Sequence, residues 1–318
     1  MRGTTRSAAG ELPDHVSYSS LSSWLMCGKS YQLGRVQGFQ GPPAWWSIGG
    51  NAVHATMESW DHNQLIEAEA GTLGHMVATW GEARTLGNTV ATWGPETGFS
   101  SALEAEIRKA KKVQPDQSKW RVKRRSSEGE TWWRANGPAM VQSYIDWRLR
   151  SPSWEIWITP DGEPAIELDV SGYLPGCDAE IKAYLDRVFE DKTFGGLIIV
   201  DAKSGSSLAK EDQLGTYRAL LMQKYGVAAD RGATFRTRTT DKKAAGLYAH
   251  PATLEKWSPE YTGALFGQMD RARKAGIFIP KLDSHCDFFC DARSACYAVG
   301  GPEAAKWDPD HPAHVSHP

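Results

Sequence analysis

Gly196-Leu-Ile-Ile-Val-Asp-Ala-Lys-Ser-Gly205 decides the fold, read with Ile181-Lys-Ala-Tyr-Leu-Asp-Arg-Val-Phe-Glu190 before it. Each is a short run of mostly apolar residues, the pattern of a buried strand. The link Asp191-Lys-Thr-Phe-Gly195 has hairpin length, so the two strands are expected side by side. Upstream, Ala165-Ile-Glu-Leu-Asp-Val170 alternates as a further strand. Downstream, Lys210–Gly226 reads as a helix, with Leu214, Tyr217, Leu220, Leu221 and Tyr225 on one stripe and Gly226 as its stop. Ala233–Thr240 and residues 245–250 are strand candidates, and a last helix is expected near Glu260–Ala275. Helices, a strand hairpin, a helix, a strand and a helix in that order make a mixed α/β fold.

Outward from this centre the chain divides by composition. Residues 1–14 are expected to be disordered. Residues 15–60 form N-terminal helices, the first capped by Ser19 or Ser20 and the second carried by Ser47-Ile-Gly-Gly-Asn-Ala-Val-His54 after a break at Gly41-Pro-Pro43. Its glycines permit close packing against another backbone. Residues 61–164 are polar and mainly helical and read as an insertion; residues 165–298 form the core and a Cys-rich end; residues 299–318 form a flexible tail.

Of the 318 residues, 41% are hydrophobic and 23% charged, which sustains a packed core and excludes wholesale disorder. No apolar run approaches a membrane span, and the first residues have no apolar stretch of a secretory signal, so a soluble cytoplasmic protein is expected. The net charge of −2 gives no global pull toward nucleic acid. Charge is uneven, however: nine Lys/Arg and one acidic residue lie between Arg108 and Arg125. Within that run Lys119, Arg121, Lys123, Arg124 and Arg125 surround Trp120, a pattern suited to phosphate contacts with a base stacked on the indole. Trp132 and Trp133 are further stacking candidates, set against the plainer role of core filler.

The chemistry centres on Asp186 in one strand and Asp201 and Lys203 at the end of the next. Two positions apart in a strand, Asp201 and Lys203 share a face. The hairpin brings Asp186 beside them. Two carboxylates with open positions suit Mg²⁺ or Mn²⁺, and a lysine beside such an ion orients water or steadies charge on a phosphoryl group. The arrangement fits metal-assisted phosphodiester hydrolysis. Five Cys in a chain without an export signal argue against a disulfide framework. Cys286, Cys290 and Cys296, with Cys27 far upstream, supply four thiolates that suit a [4Fe–4S] cluster or tetrahedral zinc. Cys177 is expected to be a free thiol.

These pieces together resemble the RecB-type branch of the PD-(D/E)xK nucleases. The resemblance is carried by Leu185-Asp-Arg-Val188, Val200-Asp-Ala-Lys-Ser-Gly205, Gln213-Leu-Gly-Thr-Tyr217, Gly50-Asn-Ala-Val-His54, and the opening Ser17 through Tyr31. It covers Ser17–Trp60 and about Glu167–Cys296 and implies a restriction-endonuclease-like core, a central mixed sheet flanked by helices. It further implies that His54, Asp186, Asp201 and the Ala202 carbonyl ligate the metal, that Lys203 is the catalytic lysine, and that Gln213 and Tyr217 support the site. Iron–sulfur nucleases of this branch, the CRISPR adaptation nucleases and AddB among them, have one Cys before the core and three after it. The same layout here implies a [4Fe–4S] cluster on Cys27, Cys286, Cys290 and Cys296, with zinc as the alternative. The extra residue between Cys286 and Cys290, and Gly28 where the branch often has proline, are departures. A clip closing a loop of about 260 residues would stabilise the fold, so its role is structural.

The expected activity is a metal-dependent DNA exonuclease acting on single strands or ends, in recombination, repair or adaptation of a prokaryote or phage. Its rival is a DNA-binding or assembly module that keeps the fold and does not cut. The chain contains no G-x-x-x-x-G-K-[ST] loop, so a separate helicase or single-strand annealing protein is the implied partner. By analogy with the branch an oligomer is also open.

Overall fold

The structure, a computed structural model, describes residues 12–69, 85–86, 89–90, 94–122, 127–240, 244–288 and 290–314. The N-terminal segment 1–11 expected to be disordered, Lys123, Arg124 and Arg125 of the basic run, and the tail beyond residue 314 lie outside these.

Helix α1 (Tyr18–Met26) starts two residues earlier than Ser19 as cap would give, because the Ser17 hydroxyl accepts from the Ser20 N–H at 3.1 Å. Helix α2 (Trp45–Glu69) is longer than the sequence pattern implied. Helices α3 (Pro95–Val113) and α4 (Glu130–Arg150) follow, then α5 (Glu211–Tyr225), ended by Gly226 at φ +71°, and α6 (Pro259–Lys274), capped by Ser258. The strands are β1 (Trp154–Ile156), β2 (Ile166–Asp169), β3 (Tyr184–Asp191), β4 (Leu197–Lys203), β5 (Arg231–Arg236) and β6 (Gly246–Ala249). The expected run Ile181–Glu190 is broken at Ala183, and its first part, Glu180–Lys182, pairs in parallel with His15–Ser17 instead.

The central sheet runs β6-β5-β4-β3-β1, with β2 also paired to β3. The hairpin expected from the sequence is present: β3 and β4 are antiparallel in the register Arg187↔Val200, Val188↔Ile199, Phe189↔Ile198. β4 and β5 are parallel, and α5 makes the crossover a parallel pair requires. Alternate strand residues feed two cores. Val200, Ala202, Phe189 and Phe235 pack with residues of α2, α3 and α4; Val188 and Ile199 pack with Leu214, Leu220, Leu221 and Phe266 of α5 and α6.

The described residues of 61–164 pack into the core: Phe99, Leu103, Met140, Val141, Tyr144 and Ile145 lie under one sheet face, and β1 pairs with β3. The tail is not loose from residue 299. Asp308 is fully buried, pairs with the buried Lys29 at 3.1 Å and accepts from the Tyr297 N–H at 2.8 Å, which ties residues 297–310 to the N-terminal helices.

Candidate active site

β3 and β4 stop pairing beyond Arg187 and Val200, and the site lies where they part. There the Asp186 carboxylate turns inward and accepts the Ala202 N–H at 2.7 Å, taking the place of a ladder hydrogen bond. Asp201 and Lys203 share the face that alternation requires, and Lys203 Nζ lies 2.8 Å from Asp201 Oδ2. From α5, Gln213 Nε2 donates to Asp201 Oδ1 at 2.7 Å and to the Tyr217 hydroxyl oxygen at 3.1 Å, one helical turn on. From α2 on the opposite sheet face comes His54, its Nδ1 3.6 Å from Asp186 Oδ2. Close approach of α2 depends on glycine. A Cβ at Gly50 would lie 2.8 Å from Ser204 Oγ, just after Lys203, and one at Gly49 would enter the Trp133 ring. Side chains, rather than the backbone expected from the sequence, fill the space these glycines leave.

A second contact fixes the same helix to the same strand. Asp61, two turns beyond His54, is fully buried and pairs with Arg187 Nε at 2.5 Å, while accepting from the Tyr144 hydroxyl at 2.7 Å. Arg187 also donates to the Asp186 carbonyl. A buried charge pair thus sits directly behind the half-buried Asp186 carboxylate.

Electrostatics follow from crowding. Burial, then the nearby Asp186 charge, pushes the Asp201 carboxyl up to about 7. Burial holds the His54 ring below its ordinary value against the pull of Asp186, leaving a neutral imidazole fit to ligate; the Ala202 backbone also faces the ring. Burial and the Asp201 charge raise the Tyr217 hydroxyl, which stays protonated.

One residue enters that the sequence pattern did not single out. Glu167 of β2 offers a ligand atom that lies, with those of His54 and Asp186, within a mutual 4.8 Å. Burial and Asp186 raise its carboxyl to about 7. Along the chain it reads as the polar alternate of Ile166-Glu-Leu168, and only pairing with β3 brings it here. The donor set of imidazole and carboxylates, with raised carboxyls that a cation would relieve, fits a divalent metal.

A sequence profile of the PD-(D/E)XK nuclease superfamily matches residues 15–297. The chain belongs to that superfamily. As a PD-(D/E)XK nuclease it is of a kind that uses divalent metals on DNA, and the match runs through the helices of 61–164 as well as the strands. The chain is also 27% identical over 301 residues to the Gene 69 protein of Mycobacterium phage D29, covering 88% of this chain and 95% of that protein. No helix among the described residues is long and apolar enough to cross a membrane.

The other residues marked in the sequence divide in this nuclease. Cys27, Cys286, Cys290 and Cys296 line one recess with Ser30, Leu33 and Pro280. A Cβ at Gly28 would lie 2.8 Å from the Ile279 nitrogen, so glycine is what lets the turn after Cys27 close on this segment. Among the described residues no three of the sulfurs come within 4.8 Å of one another. Burial raises the Cys290 and Cys296 thiols. Cys177 is a buried free thiol beside the Ala179 carbonyl.

Among the described residues of the basic run, the cations are exposed or half-buried and the aromatic is buried. Trp120 is 5% exposed, packs on Trp45, and donates its indole N–H to the Gln114 carbonyl at 2.8 Å. Trp133 is 1% exposed. Neither offers a face to a base, which corrects the stacking role expected of them. Lys119 is exposed near Asp116. Arg121 pairs with Asp291 and lies 4.7 Å over the half-buried Trp46, and Arg238 lies 5.3 Å over the half-buried Trp132.

Proposed function

We propose that this nuclease is a metal-dependent DNA exonuclease of the RecB-type branch, working on single strands or DNA ends. The observation that carries the reading is the meeting of Asp186, Asp201, Lys203 and His54 where β3 and β4 separate. His54, Asp186, Asp201 and the Ala202 carbonyl would hold Mg²⁺ or Mn²⁺. The ion, when bound, supplies Lewis-acid stabilisation of the phosphoryl oxygens and lowers the pKa of a bound water. Lys203, within reach of Asp201, orients the attacking water and steadies negative charge on the phosphate. Gln213 holds Asp201 in place and is itself held by Tyr217.

The strand would approach over the surface around Trp46 with Arg121 and Trp132 with Arg238, beside the glycines of α2. Lys119, Lys123, Arg124 and Arg125 would extend that contact to phosphates. The test is degradation of end-labelled single- and double-stranded DNA with Mn²⁺, Mg²⁺ or EDTA. Metal-dependent release of label that is lost in Asp201→Asn supports the reading, and the labelled end released first gives polarity. Equal binding without cutting by both proteins returns the chain to a DNA-binding module.

For the cysteine recess the proposal is a structural [4Fe–4S] cluster on Cys27, Cys286, Cys290 and Cys296. What supports it is that all four cysteines line one recess. Iron and acid-labile sulfide in anaerobically purified protein support it; stoichiometric zinc without iron overturns it. The D29 relative is a phage protein, which supports a phage setting; the process we propose there is recombination or repair of DNA in the cytoplasm of an infected cell, beside a separate helicase or annealing protein.

A further inference from the structure

Glu167 has a backbone, a neighbour and a set of partners that its strand does not require. It is at φ +47°, and no other non-glycine residue among those described has a positive φ. An L side chain adopts that region at a cost, so the surroundings must hold it there. The consequence shows in the faces of the strand. Ile166 packs in the core under α2, α3 and α4, whereas Leu168, which simple alternation would send the same way, packs in the core under α5 and α6. The strand therefore rolls over at Glu167.

The register explains where the carboxylate goes. β2 pairs with β3 as Ile166↔Arg187 and Leu168↔Leu185, so Glu167 stands across from Asp186. Directly opposed side chains are neighbours about 5 Å apart, and two carboxylates so placed repel. Little offsets that repulsion. The Arg187 guanidinium is committed to Asp61 and the Asp186 carbonyl, and its Nη1 is 3.5 Å from Glu167 Oε1, at the limit of a hydrogen bond. On the far side, the neutral imidazole of His54 completes the group within 4.8 Å, and Glu58, one turn beyond His54 on α2, adds a further carboxylate that repels Glu167.

We propose that Glu167 is a ligand of the divalent cation held by His54 and Asp186, so that a backbone bend in β2 supplies one face of the metal site. The idea deepens the metal-centre reading above and rests on it for what the cation does. One imidazole nitrogen with two or more carboxylate oxygens suits Mn²⁺ better than the larger, oxygen-preferring Ca²⁺. The competing role is structural: Glu167 as a partner of Arg187.

The two roles part in the metal-free protein. Full-length wild type, Glu167→Gln and Glu167→Gly are titrated with Mn²⁺ by calorimetry without DNA, and each is melted in EDTA. We expect Glu167→Gln to weaken Mn²⁺ binding at least tenfold. Both variants should melt in EDTA no lower than wild type, since both lose a repelled carboxylate and glycine also accepts the bend. Unchanged Mn²⁺ affinity in Glu167→Gln overturns the proposal, as does wild type that takes up no Mn²⁺. A drop in EDTA melting temperature for both variants with Mn²⁺ affinity intact assigns the structural role instead. DNA cutting is scored separately: a chain that binds Mn²⁺ through Glu167 and does not cut refutes the exonuclease reading and supports this one.

Discussion

Asp61→Asn should be among the most destabilising single changes in the molecule, and it should damage the proposed metal site without touching it. Asp61 is fully buried, and the change removes the charge that faces Arg187, itself 2% exposed. An uncompensated buried guanidinium costs about 3–5 kcal/mol. Taking unfolding entropy at about 2.1 cal/mol/K per residue, the 318-residue chain loses about 6 °C of melting temperature for about 4 kcal/mol. The functional effect follows from geometry. Asp61 and His54 stand on one face of α2, and they meet the adjacent residues Arg187 and Asp186 of β3. Freeing one contact lets the helix slide relative to the other, so Mn²⁺ affinity should fall as well. The assays are urea unfolding in EDTA and Mn²⁺ calorimetry on the folded variant. The double variant Asp61→Leu with Arg187→Met removes this pair but leaves Arg148, 3.4 Å from Asp61, without its partner, so it should recover part of the stability and not the metal affinity. A loss below about 1 kcal/mol in Asp61→Asn would refute the claim that this pair anchors the helix.

In the metal-free protein Asp201 holds its proton up to about 7, whereas an unfolded chain releases it near 4. The folded state then binds more protons between those values, so this group's contribution to stability falls as pH rises from about 4 to about 7. Urea midpoints in EDTA should therefore show Asp201→Asn gaining on wild type through that window; a constant difference would contradict it. Trp120→Ala should cost about 3–5 kcal/mol of stability by emptying a buried indole site, read by urea unfolding, whereas a stacking residue would lower only DNA affinity. Lys29→Met leaves the buried Asp308 without its cation and should cost about 3–5 kcal/mol, with faster proteolysis after residue 297 as the local readout.

Much of this protein was legible along the chain because the relevant information is short-range. Period-two alternation put Asp201 and Lys203 on one face, a five-residue link set β3 beside β4, and a four-residue step aligned Gln213 with Tyr217. Those patterns depend only on backbone geometry within an element or across one hairpin. What they fix is which side of its own element a residue occupies. Which elements then face each other is settled by packing over long separations, and there the sequence was silent. Trp120 looked like a stacking platform inside a basic run until Trp45 covered it. The helices read as an insertion at 61–164 gave no sign along the chain that their apolar stripes close one face of the sheet. The tail looked loose until Lys29 gave Asp308 a buried partner. Glu167 is the sharpest case. Its strand predicts an ordinary polar alternate, and only pairing with β3 and the bend at its own backbone bring its carboxylate to His54 and Asp186. The chain by itself determined the pieces of the candidate site; tertiary contact decided their company, because charge repulsion and burial act between neighbours in space rather than in sequence.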